Sequence, residues 1–149
     1  MLELQLNEKN YKSFIDFASK TCDLFSLVFV KSELHNFEYI FQDIFLLLSE
    51  SVVRKQAVLV HPNTGTHFEN ADILYLRINL HTISFLKQTN SIYDWNGENL
   101  PEELCFLRNG NVWFSCVGHE RLLRIHSNTS QDLKFFTDNK IKYLNTGES

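Results

Sequence analysis

The sequence of 149 residues lacks the features of a membrane, secreted or nucleic-acid-binding protein. It has no run of basic residues and a formal net charge of −4, whereas binding to phosphates requires clustered lysine and arginine. Its most apolar window, residues 40–48, is interrupted by Gln42 and Asp43 and is too short to span a bilayer. The N-terminal residues do not form a signal peptide. We therefore expect a cytoplasmic protein that binds neither nucleic acid nor membrane.

Cysteine, glycine and proline are scarce. The three cysteines, Cys22, Cys105 and Cys116, are odd in number and form no CxxC pair, so a disulfide framework is not expected. Only 5 Gly and 2 Pro are present, which argues against long flexible linkers. We predict one domain over residues 1–144, followed by a disordered tail over residues 145–149.

Motifs for phosphate, metal and dinucleotide binding are also missing. Neither GxxxxGK[ST] nor GxGxxG occurs, and the His119-Glu120 pair does not continue into HExxH because residue 123 is leucine. The other histidines lie at no metal-ligand spacing. We therefore expect no metal and no cofactor.

The first third of the chain alternates between strand and helix patterns. The alternating leucines of residues 2–6 predict a strand, and Asn7 can cap a helix whose apolar residues recur from Tyr11 to Cys22. Residues 24–30 are apolar and partly β-branched, which predicts a second strand. The apolar residues from Phe37 to Leu48 predict a long second helix.

The remainder of the chain predicts a sheet with further helices. Residues 57–60 indicate either a short strand or the frayed end of the preceding helix, and residues 61–65 indicate a turn. A strand over 73–80 and a helix over 81–90 follow. Asn109-Gly110 predicts a type I′ hairpin between strands 104–108 and 112–117, a third strand covers 122–126, and Ser127 or Ser130 can cap a C-terminal helix.

These elements predict an α+β fold, in which a mostly antiparallel sheet is covered by helices. The predicted order is β-α-β-α-β-α, then a β-β-β meander and a short C-terminal helix.

Residues 91–103, which we name the acidic loop, carry four acidic residues and no basic one. The loop also contains a tyrosine and a tryptophan, which are enriched in interface hot spots. This combination predicts a site for a basic protein partner, steered by charge and anchored by aromatic burial. An alternative is that both aromatic side chains fold inward and close one end of the core. The candidate partner-binding residues are Tyr93, Asp94, Trp95, Glu98, Glu102 and Glu103.

Two other functions are compatible with the sequence. Cys116, His119 and Glu120 lie close together and could form a small thiol-based active site, although strand geometry directs residues 116 and 119 to opposite faces. The phenylalanine-rich segment from Phe37 to Leu48 could instead form an apolar stripe for self-association, for example in a homodimer.

The segment 91–120 resembles a group of small, uncharacterised proteins of Bacillus-like bacteria, sometimes labelled as stage III sporulation proteins. The resemblance rests on Tyr-Asp-Trp (93–95), Leu-Pro-Glu-Glu-Leu-Cys-Phe (100–106), Trp113-Phe114 and His119-Glu120. The chain departs from the group's pattern at Glu103, where aspartate is expected, and over residues 116–118. The resemblance implies an intracellular α+β fold and transfers no activity.

The function predicted from the sequence is therefore a protein-binding module. Its most concrete form is an immunity, antitoxin or inhibitor-type protein that neutralises a basic partner.

Overall fold

The computed structural model describes residues 1–30, 48–98 and 100–147. Its helices are α1 (Glu8–Thr21), α2 (Leu80–Leu86) and α3 (Ser130–Asp138), with short 3-10 helices at Ile92–Asp94 and Gly118–Glu120, and residues 48–51 are also helical. The strands are β1 (Leu2–Gln5), β2 (Leu24–Val30), β3 (Val52–Val60), β4 (His67–Arg77), β5 (Glu102–Arg108), β6 (Asn111–Val117), β7 (Leu122–Ile125) and β8 (Lys142–Asn145).

These eight strands form one sheet in the order β3-β4-β2-β5-β6-β7-β1-β8. Every neighbouring pair is antiparallel. The α+β class with a mostly antiparallel sheet is therefore confirmed. The N-terminal strand β1 lies far from β2, between β7 and the C-terminal β8.

Local sequence signals explain several of the element boundaries. Asn7 Oδ1 accepts a hydrogen bond from the Asn10 backbone N–H at 3.1 Å, and Asn10 Oδ1 accepts one from the Asn7 backbone N–H at 2.9 Å, so a capping box starts α1. Asn109 and Gly110 have φ angles of 52° and 80°, as the type I′ turn between β5 and β6 requires. Both features are as predicted.

The main core lies between the sheet and α1, α2 and α3. Phe14 is fully buried, stacks on Trp113 at 5.8 Å between ring centroids, and contacts Phe114 at 4.9 Å. A second, smaller apolar cluster lies on the other face of β2, β3, β4 and β5 and includes Val28, Ile73 and Leu107. Burial on both faces explains why β2 has no alternating pattern of exposure.

Several boundaries differ from the sequence predictions. β4 begins at His67 rather than at residue 73, and β3 spans nine residues where only residues 57–60 were proposed as a strand. The cap of α3 is Thr129, not Ser127 or Ser130, because Thr129 and Asp132 form a capping box. Strand β8 was not predicted, and it includes Asn145, the first residue of the predicted disordered tail.

The predicted helix from Phe37 to Leu48 lies almost entirely outside the described residues, which resume at Leu48. The self-associating stripe proposed for that segment therefore also lies outside them. Within residues 1–30, 48–98 and 100–147, no helix has the length and apolar character needed to cross a membrane.

Candidate functional site

Trp95 fixes the acidic loop to the core. Its side chain is completely buried, and its indole Nε1–H donates a hydrogen bond to Tyr11 Oη at 3.0 Å. Tyr11 Oη in turn donates to the Leu86 carbonyl oxygen at 2.5 Å, so the loop, α1 and α2 are joined in one chain of hydrogen bonds. The Phe85 ring contacts the indole at 5.5 Å between centroids. Such burial and hydrogen bonding fix the position of Trp95 in the loop.

The backbone on either side of Trp95 is also closely packed. A Cβ atom at Gly118 would overlap the Trp95 carbonyl oxygen, so only glycine fits there. The Cys116 thiol donates to the Ile92 carbonyl oxygen at 3.6 Å. The loop is therefore held against β6 as well as against the two helices.

The first half of the loop presents half-buried side chains. Ser91 caps the 3-10 helix by accepting a hydrogen bond from the Tyr93 N–H at 3.2 Å. The guanidinium of Arg121 lies over the Tyr93 ring, 3.9 Å from its centroid. The Asp94 carboxylate accepts a hydrogen bond from the Thr89 hydroxyl. One face of Tyr93 is thus covered by a cation of the same chain.

The tip of the loop is a tight turn with exposed acidic groups. Asn96 Oδ1 accepts a hydrogen bond from the Glu98 N–H at 2.9 Å, and Asn96 forms a β-bridge with Glu102. Gly97 has a φ of 86°, and a Cβ atom there would overlap the Glu102 carboxylate. The Glu98 side chain is exposed. The turn therefore places the Glu102 carboxylate against the backbone at Gly97 and leaves the Glu98 carboxylate in solvent.

A surface groove of about 300 Å³ opens beside this turn. Asp94 and Glu98 supply carboxylates, Thr89 and Asn96 supply neutral polar groups, and Leu100 supplies apolar surface. Carboxylates beside apolar surface suit the charged head and aliphatic stem of lysine or arginine. We name these five residues the acidic groove.

Glu103, by contrast, is completely buried. Its carboxylate accepts hydrogen bonds from the Thr64 hydroxyl at 2.8 Å and from the Thr66 hydroxyl. Its φ is 57°, a left-handed conformation that is strained for glutamate. Burial raises the pKa of Glu103, and the two hydroxyls offset only part of that increase.

Thr64 and Thr66 belong to the turn between β3 and β4, which also contains the buried His61. His61 is 1% exposed, and its Nδ1 accepts a hydrogen bond from the Asn63 N–H at 3.1 Å. Burial lowers the pKa of His61 to about 4, so the imidazole is neutral near pH 7. A neutral histidine and two threonines therefore hold the β3–β4 turn against Glu103.

The six sequence-predicted binding residues thus lie in three environments. Trp95 and Glu103 are fully buried. Tyr93, Asp94 and Glu102 are partly exposed, and Glu98 is exposed. Of the residues predicted from sequence, Asp94 and Glu98 are the two that line the groove, whereas Trp95 serves as its anchor.

The alternative site at residues 116–120 is divided between core and surface. Cys116 is completely buried, and burial raises the pKa of its thiol, which disfavours the reactive thiolate. His119 and Glu120 are exposed on the second 3-10 helix, with His119 Nε2 3.9 Å from Glu120 Oε1. The fold does not assemble these residues as a thiol nucleophile and its base.

A serine–histidine pair was missed by reasoning from sequence. Ser115 Oγ lies 2.8 Å from His126 Nε2, and burial, with the nearby Arg124 charge, lowers the pKa of His126. Ser115 is only 4% exposed, and no carboxylate of the described residues bonds to His126. The pair joins β6 to the end of β7. No local pattern could have revealed it, because its members lie eleven positions apart in the sequence.

No protein-family model, no curated protein and no solved structure matches the chain.

Proposed function

We propose that the chain is a protein-binding module of the immunity, antitoxin or inhibitor type, which covers a basic surface of its partner with the acidic groove. The observation that carries this proposal is the acidic groove on a loop anchored by Trp95. The groove exposes Glu98 and adds the Asp94 carboxylate beside it. Its volume of about 300 Å³ suits one basic side chain of a partner.

The rigidity of the loop supports binding. Ordering a mobile loop on association costs free energy, and a loop already held in its bound conformation avoids that cost. Trp95 supplies this rigidity through its buried indole and its hydrogen bond to Tyr11. In this proposal Trp95 maintains the shape of the loop, and Asp94 and Glu98 contact the partner.

Electrostatics favour a basic partner over a neutral one. The acidic loop presents Asp94, Glu98 and Glu102 at the surface, whereas Glu103 is buried, and the whole chain has a net charge of −4. An acidic surface increases the association rate of a basic protein, and this effect decreases with salt. Arg121, which covers Tyr93, places one positive charge beside the loop.

The test is affinity capture from host lysate with wild type and two charge-reversal variants. Glu98→Lys changes the groove, whereas Glu69→Lys makes the same charge change at an exposed position on β4. We expect a basic protein to be retained by wild type and by Glu69→Lys but lost by Glu98→Lys. Circular dichroism establishes that both variants are folded.

The captured partner is then purified and titrated calorimetrically at two salt concentrations. One-to-one binding that weakens as salt increases supports the proposal. Equal retention of the partner by Glu98→Lys would show that the acidic groove is not its binding site.

A further inference from the structure

Strand β3 is an edge of the sheet with an exposed apolar surface. Within the described part of the chain it pairs with β4 alone, so its outer backbone groups have no strand beside them. Val53, Leu59 and Val60 are 41%, 70% and 46% exposed. A long edge strand with exposed apolar side chains is a template for pairing with another strand.

A fourth exposed apolar residue lies near the start of β3. Leu80, the first residue of α2, is 85% exposed. The preceding residue, Asn79, donates a side-chain hydrogen bond to Ser51 Oγ at 2.9 Å, which places the start of α2 beside the residue before β3. The exposed apolar surface of this edge therefore extends past the strand itself.

The two basic residues of β3 have partners within their own sheet. Lysine on an edge strand usually discourages pairing. Here Lys55 Nζ lies 3.6 Å from Asp72 Oδ2 on the adjacent β4. Arg54 lies over the Tyr75 ring at 4.9 Å and donates a hydrogen bond to Gln56 Oε1 at 2.8 Å. Both charges are held by residues of their own sheet.

The order of residues along β3 is self-complementary. If two copies of β3 pair antiparallel about a twofold axis at Gln56, Val53 of one copy lies opposite Leu59 of the other. Val52 then lies opposite Val60, and Lys55 lies opposite Ala57 rather than opposite another cation. The pairing of β3 with β4 is irregular between Val52 and Arg54 and again between Val58 and Val60, yet the apolar residues at both ends of β3 remain exposed.

We propose that β3 pairs antiparallel with β3 of a second copy of this chain, extending the sheet across a twofold dimer. The nine residues of β3 supply an interface roughly 30 Å long at about 3.4 Å per residue. Because the contact is isologous, it closes as a dimer and does not propagate into a fibre.

The other edge of the sheet provides a matched control. Strand β8 has four residues, and its Leu144 is 66% exposed, close to the value for Leu59. Leu59→Lys and Leu144→Lys therefore make the same change at similar exposure on opposite edges. The full-length chain and both variants are examined by sedimentation velocity over a range of concentrations.

We expect wild type and Leu144→Lys to dimerise with the same dissociation constant, and Leu59→Lys to raise that constant about tenfold or more. The register of the β3–β3 pairing is tested by the double variant Val53→Glu, Leu59→Lys. The proposed twofold axis places the glutamate of each copy opposite the lysine of the other, so that two ion pairs form. Recovery of dimerisation in the double variant supports this pairing.

A wild-type chain that is monomeric at every concentration would overturn the proposal. Loss of the dimer in Leu144→Lys but not in Leu59→Lys would also overturn it, by assigning the contact to β8. Failure of the double variant to recover, with both single variants folded by circular dichroism, would exclude the proposed register.

Discussion

Two buried carboxylates, Asp132 and Glu103, differ in the charge of their partners. Asp132 is 1% exposed, and each of its two oxygens accepts a hydrogen bond of 2.9 Å from the Arg108 guanidinium. It also accepts hydrogen bonds from Trp113 Nε1 at 3.1 Å and from the Thr129 N–H at 2.9 Å. Burial acts to raise the pKa of Asp132, but these partners outweigh burial and lower it.

Glu103 is equally buried, yet its hydrogen-bond donors are the neutral hydroxyls of Thr64 and Thr66. Among the described residues, no lysine, arginine or histidine forms an ion pair with it. The pKa of Glu103 is therefore raised, with burial as the largest cause.

The comparison shows that the partners of a buried carboxylate decide the direction of its pKa shift. A cation compensates for the solvation that burial removes, whereas hydroxyl groups compensate only in part. Asp132 therefore stabilises the fold in its ionised form, whereas ionisation of Glu103 opposes folding. Strained, buried acids with raised pKa values also occur at functional sites.

The largest expected effect comes from Asp132→Ala. The change leaves the Arg108 guanidinium without its carboxylate and removes half of the capping box of α3. We expect the free energy of unfolding at pH 7 to decrease by about 3–5 kcal/mol. Urea denaturation measures this decrease.

The control is Asp138→Ala, which removes an exposed ion pair with Lys134. We expect a change within about 0.5 kcal/mol. Because the folded-state pKa of Asp132 is lowered, its contribution is present above the unfolded pKa and is lost as pH falls through the folded value. Equal effects of the two variants at pH 7 would contradict the importance of the buried pair.

A smaller effect is expected from Thr64→Val. Valine keeps the approximate shape of threonine but removes the hydroxyl that donates to Glu103 Oε2 at 2.8 Å. We expect the free energy of unfolding to decrease by about 1–2 kcal/mol at pH 7 and the pKa of Glu103 to increase further.

A double-mutant cycle with Glu103→Gln isolates this interaction. If the hydroxyl acts through the carboxylate, Thr64→Val costs less free energy of unfolding in the Glu103→Gln background than in wild type. An unchanged cost would assign the effect to packing of the β3–β4 turn.

The smallest effect, and the one opposite in sign to that of Asp132, is expected from Glu103→Gln. Because the folded-state pKa of Glu103 is raised, its ionisation decreases stability as pH rises from about 4.3, its unfolded value, through the folded one. Glutamine can still bond to the threonines but carries no charge. We expect the variant to match wild type near pH 4 and to exceed it by up to about 1 kcal/mol at pH 8.

Thermal or urea unfolding across this pH range gives the comparison. Glu98→Gln removes one carboxylate at an exposed position and serves as the control. Parallel pH profiles for wild type and Glu103→Gln would show that the buried carboxylate does not oppose folding.

The acidic loop shows which properties of a binding surface can be predicted from sequence. Its charge and its aromatic residues could be read directly, and they identified the loop as a candidate binding surface. The sequence left open whether Trp95 contacts a partner or folds inward, and the structure buries Trp95 while leaving Glu98 exposed. That difference depends on Tyr11, Leu86 and Gly118, which are distant in sequence and adjacent only after folding.

The sequence by itself determined those features whose causes are local. The capping box at Asn7, the Asn109-Gly110 hairpin and the apolar strand β2 each depend on interactions within a few residues, as does the α+β class that follows from them. Only the tertiary structure decided the position of β1 beside β8, the opposite directions of the pKa shifts of Asp132 and Glu103, and the exposure of β3 at an edge. These properties depend on which distant segments become neighbours, because burial and local charge are set by all the groups that surround a residue in space.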